Sequence, residues 1–101
     1  MSYVSNVVLL TFIDDPGIKD LQLWLSENEM PALNQVDGFA GGKRAFEAEI
    51  WVGAYNYLDI QEFTQAVLDA KWLYPDAVQL LIKQEADDVF SLRAGSMPDA
   101  R

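Results

Sequence analysis

Between residues 4 and 13 the chain is apolar at most positions, and Val7-Val8-Leu9-Leu10 runs without a polar break. A strand buried on both faces carries such a run, so a central strand is predicted here. Asp15 and Pro16 then supply a helix cap and a first helical residue. Ile18, Leu21 and Leu25 follow as one helical stripe with Trp24 on its flank, and the helix is predicted to end near Asn28, before Pro31. Residues 33–39 read as a weak short strand, and residues 40–44 as a flexible connection.

The clearest alternation spans residues 45–55. Phe46, Ala48, Ile50, Val52 and Ala54 occupy one face of that strand, and Glu47, Glu49, Trp51, Gly53 and Tyr55 the other. The aliphatic set is expected to face the core. A second helix starts at Asp59, where Asp59 and Glu62 resemble a capping box and Ile60, Phe63, Val67 and Ala70 form a stripe. Tyr74-Pro75-Asp76 is a turn, residues 78–85 a strand, and residues 89–93 a short optional last strand. The order β-α-β-β-α-β predicts an α+β fold of the ferredoxin-like kind, an antiparallel sheet with two helices on one face. Residues 1–95 are expected to form one domain and residues 96–101 a flexible tail.

Composition narrows the chemistry. The 101 residues contain no cysteine and no histidine, which removes disulfides, thiolate nucleophiles, thiolate metal sites and imidazole proton shuttles. No catalytic residue, metal site or cofactor is expected, and the reading leans away from an enzyme. Sixteen acidic residues against seven basic ones give a net charge of −9. That field disfavours direct contact with nucleic-acid phosphates or anionic membranes. The N-terminus lacks the positive region of a secretory signal, and a cytoplasmic location is expected.

Several clusters have both a functional and a structural reading. Gly41-Gly42-Lys43-Arg44 could hold an anion, but its spacing matches no phosphate loop, and a flexible hairpin is the better reading. The pairs Asp14-Asp15 and Asp87-Asp88 could attract hard cations, yet they lack calcium-loop spacing and suit structural roles. Trp72 could anchor a partner or close the corner between helix and strand. Glu47 and Glu49 could divide acid and base duties, imitate phosphates, or simply wet a sheet face.

Trp51 and Tyr55 carry the main functional expectation. If Ile50 and Val52 face the helices, these aromatics share the open sheet face with Leu81. An exposed patch of that composition marks an interface, with Glu47 and Glu49 as its polar rim.

Three stretches also carry a resemblance. They are Gly41-Gly42-Lys43 with Glu47, then the run from Gly53-Ala54-Tyr55 through Asn56-Tyr57-Leu58-Asp59, then Val78-Gln79-Leu80-Leu81-Ile82-Lys83. Together they resemble small uncharacterised proteins of actinobacteria and their phages. The similarity touches the C-terminal half, carries no catalytic motif, and implies a phage or accessory origin.

The leading expectation is a non-enzymatic protein-binding module that forms a homodimer through Trp51, Tyr55, Leu81, Glu47 and Glu49. The alternatives are an acidic nucleic-acid mimic that inhibits a DNA- or RNA-binding enzyme, and a small cofactor-free enzyme.

Overall fold

The structure, a computed structural model, describes residues 3–95. The continuous apolar run becomes strand β1 (Val4–Thr11), and helix α1 (Gly17–Glu27) follows with Pro16 as its N-cap. Strand β2 (Asn34–Gln35) is very short and leads into one 3-10 turn. Strand β3 (Glu49–Asn56), helix α2 (Ile60–Asp69), strand β4 (Gln79–Gln84) and strand β5 (Ser91–Ala94) complete the chain.

The fold is therefore α+β, with one five-stranded sheet in the order β2-β3-β1-β4-β5 and every neighbouring pair antiparallel. As expected, β1 is central, between β3 and β4. It is not buried on both faces: its burial alternates, and Val8 and Leu10 stay partly exposed because the helices cover one side only. The expected tail at residues 96–101 lies outside the described residues.

One face of the sheet carries the core. Val7 and Leu9 of β1, Tyr55 of β3, and Leu80 and Ile82 of β4 cluster with Leu21 and Leu25 of α1 and with Phe63 and Val67 of α2. Both helices thus cover the same side. The expected stripes of both helices hold, and Asp59 caps α2 by accepting the Glu62 N–H at 3.1 Å.

The assignment of faces in β3 is a correction. Trp51, Gly53 and Tyr55 pair with Leu9, Val7 and Ser5, and so point at the helices. Ile50, Val52 and Ala54 point away from them. Gly53 makes this arrangement possible, because a Cβ there would meet the Tyr55 ring at 2.7 Å. The ring lies back over the glycine, and its hydroxyl donates to the Pro31 carbonyl at 2.9 Å. Burial pushes the Tyr55 phenol up to about 12, so it remains a donor.

The strand is also shorter than its alternation suggested. Residues 45–48 precede β3 as irregular chain, with Phe46 exposed. Of the predicted strand at residues 33–39, only Asn34 and Gln35 are strand. Val36 prolongs the pairing by donating its N–H to the Ile50 carbonyl at 2.8 Å. The Asp37 carboxylate then accepts the Ile50 N–H at 3.0 Å, standing in for the next ladder carbonyl. That N–H holds the Asp37 carboxyl below its ordinary range.

Two side chains lock the helices in place. The Gln22 amide of α1 donates to the Leu33 carbonyl and accepts the Leu33 N–H, both at 2.9 Å. Trp72 closes the corner after α2. Its ring covers Gly17, where a Cβ would come within 2.4 Å of it, and its indole N–H donates to the Val67 carbonyl.

Candidate functional site

The sequence singled out five residues, and the structure does not bring them together. Tyr55 is 3% exposed and belongs to the core. Trp51 is partly buried against that core, on the helix side. Its indole N–H is enclosed and meets no partner. Glu49 shares Trp51's side of β3 and accepts the Asp14 N–H at 3.1 Å. Glu47 lies in the irregular chain before β3, beside Ile13 and Phe46. Leu81 is the one of the five on the open face, because it pairs with Val8.

An unpaired enclosed donor costs about 1–3 kcal/mol, so its removal should be tolerated. Trp51→Phe is expected to leave the urea midpoint at or above the parent's. A much lower midpoint would show that the ring's packing against the core outweighs the unpaired N–H.

The open face is built from other residues. The register aligns Leu92, Leu81, Val8, Val52 and Asn34 in one row across all five strands. Beside it run Gln79, Leu10 and Ile50, with Val36 bonded to Ile50 at the edge. Lys83, Asn6 and Ala54 form the row on the other side. The middle row and the row of Leu10 and Ile50 are mostly aliphatic, and most of their side chains stay partly exposed. None of these register positions is an Asp or Glu, although the chain has sixteen of them.

Four acidic residues gather instead on the helix side. Asp20 and Glu27 of α1 and Glu62 and Asp69 of α2 line a groove of about 480 Å³ that has Trp24 among its walls. Each pair is seven residues apart, two helical turns, which puts both members on one helix face. That spacing was a usable signal in the sequence and was missed. Among the described residues, no group of three or more acidic side chains is placed to hold a metal ion.

Among the described residues Asp15 is the buried carboxylate, at 2% exposure. It accepts the N–H groups of Gly17 at 3.0 Å, Leu73 at 3.0 Å and Tyr74 at 2.9 Å. Burial pushes its carboxyl up, and the three donors outweigh burial and hold it below the ordinary value of 3.8. With these three bonds Asp15 clamps the β1–α1 turn to the chain after α2.

Among the described residues no helix is long and apolar enough to cross a membrane. No protein-family model, curated protein or solved structure matches this chain.

Proposed function

We propose that the protein is a non-enzymatic binding module that pairs with a second copy of itself through the open sheet face. The observation that carries this reading is the separation of charge from apolar surface. Aliphatic side chains fill the centre of the face, and Lys83 is the charged residue among its register positions. Two chains of net charge −9 repel each other, and a face whose paired register positions carry no carboxylate is the surface on which they can meet at least cost. A two-fold pair would set the row of Val8, Val52 and Leu81 against the same row of the second copy, as an isologous interface requires. The order β-α-β-β-α-β further supports a ferredoxin-like assignment, with β5 as an added edge strand.

Val52→Glu tests this reading. Val52 sits in the middle row, is partly exposed, and lies outside the core. A charge there would be desolvated in a closed interface and stay hydrated in a monomer. Sedimentation equilibrium is expected to give a dimer for the parent and a monomer for the variant, with unchanged circular dichroism. A parent that stays monomeric at all concentrations removes the proposal.

The groove between the helices supports a second reading, in which Asp20, Glu27, Glu62 and Asp69 imitate nucleic-acid phosphates before a basic partner. Displacement of a DNA-binding enzyme from DNA would then weaken with salt and with Glu62→Gln and Asp69→Asn, and would be indifferent to Val52→Glu.

A further inference from the structure

A second cavity, separate from both surfaces above, opens at the end of the sheet where β1 begins. Three stretches of chain meet there. The Tyr57 N–H donates to the Tyr3 carbonyl at 2.9 Å, and the Glu85 N–H donates to the Val4 carbonyl at 2.9 Å. The Glu85 carboxylate returns to accept the Val4 N–H at 3.2 Å. Together they enclose about 360 Å³, walled mainly by Tyr3, Val4, Tyr57 and Leu58, with Ser5, Gln84 and Glu85 as the polar side chains. That is within the size range of small-molecule sites, and the composition is typical of them, apolar walls with few polar groups.

The two tyrosines define what would fit. Their rings stand at 71° to each other with centroids 6.2 Å apart, so they form two walls of a corner. Both are about two-thirds exposed, Tyr3 at 65% and Tyr57 at 64%, and neither is consumed by the core. Tyr57 also holds a φ of 56°, in the left-handed region that a bulky aromatic seldom occupies. Strain of this kind persists where the surroundings enforce it, and it gathers at ligand sites.

We propose that this pocket binds a small organic cation bearing a methylated ammonium group. Ring faces attract a cation within about 6 Å of their centroids, and two walls at a wide angle with a carboxylate beside them form a partial aromatic cage. A primary ammonium must satisfy three N–H donors. The one charged group on the walls, the Glu85 carboxylate, is already engaged with Val4, and beside it stand only the neutral side chains of Ser5 and Gln84. A methylated ammonium has no such requirement and presents apolar methyl groups to the tyrosines. The net charge of −9 raises the local concentration of any cation.

The test is an NMR titration with choline chloride and with 3,3-dimethylbutan-1-ol, its uncharged carbon analogue, at constant ionic strength. Saturable shifts at Tyr3, Tyr57 and Glu85 are expected with choline, and about tenfold weaker binding with the alcohol. Tyr57→Gly keeps the fold, because glycine accepts the φ of 56°, and is expected to weaken choline about tenfold. Glu85→Gln should weaken it several-fold. Equal binding of choline and the alcohol would reduce the site to a plain apolar pocket and overturn the proposal. So would choline binding that ignores Tyr57→Gly, or no saturable shift at any concentration. Binding to phosphatidylcholine vesicles without a response to free choline would also overturn it, by moving the ammonium group to a membrane surface.

Discussion

Phe63→Ala is expected to cost about 3–5 kcal/mol, the largest loss of any single truncation in this chain. Phe63 is fully buried on α2. Its ring meets Trp24 of α1 edge-on at 5.8 Å and Tyr55 of β3 at 6.5 Å. One side chain therefore ties both helices to the sheet. Truncation removes that apolar area from the core and leaves a cavity whose walls belong to three different elements, which cannot all close on it. Small domains have a total stability of about 5–15 kcal/mol, so the variant should be close to unfolding at room temperature. Urea denaturation followed by tryptophan fluorescence measures it. A midpoint near the parent's would mean that Phe63 does not sit at this junction.

Asp15→Ala is expected to be almost as damaging, for an electrostatic reason. Three backbone N–H groups, from Gly17, Leu73 and Tyr74, lose their acceptor at once. The Gly17 donor is buried and the other two are partly so. A buried donor left unpaired costs about 1–3 kcal/mol and a partly buried one less, so a loss of about 2–4 kcal/mol is expected. Asp15→Asn keeps the shape and one acceptor oxygen, and should lose less.

The same carboxylate gives a pH dependence with a definite sign. Its folded pKa lies below the ordinary value of 3.8. Between the two values the unfolded chain holds the extra proton, so stability rises with pH. The contribution of Asp15 is thus complete above 3.8 and is lost as pH falls through the depressed folded value. Urea midpoints of the parent and of Asp15→Asn should converge as the solution is acidified below pH 4. A constant gap would mean that Asp15 is not charged in the folded state.

Much of this architecture was legible in the sequence. The unbroken apolar run at Val7 to Leu10 marked β1 as central, and it pairs on both sides. The stripes through Leu21 and Leu25, and through Phe63 and Val67, marked the core faces of α1 and α2. The face of β3 was not legible, because Ile50 and Val52 compete with Trp51 and Tyr55 and alternation separates the two sets without ranking them. The clue was Gly53, between two aromatics, whose missing side chain admits the Tyr55 ring. Reversing that one strand moved the candidate interface from Trp51 and Tyr55 to Ile50 and Val52, and kept Leu81 in it. The buried role of Asp15 depends on Leu73 and Tyr74, far away in sequence, so no local pattern could reveal it.

The central claim concerns which surface two copies share, and an isotope-filtered NOE experiment on mixed labelled and unlabelled chains addresses it directly. Intermolecular cross-peaks are expected among the methyl groups of Val8, Val52 and Leu81, with none at Leu21 or Val67. A dimer whose cross-peaks lie on the helix side, or a mixed sample with no intermolecular cross-peak at millimolar concentration, would contradict the claim.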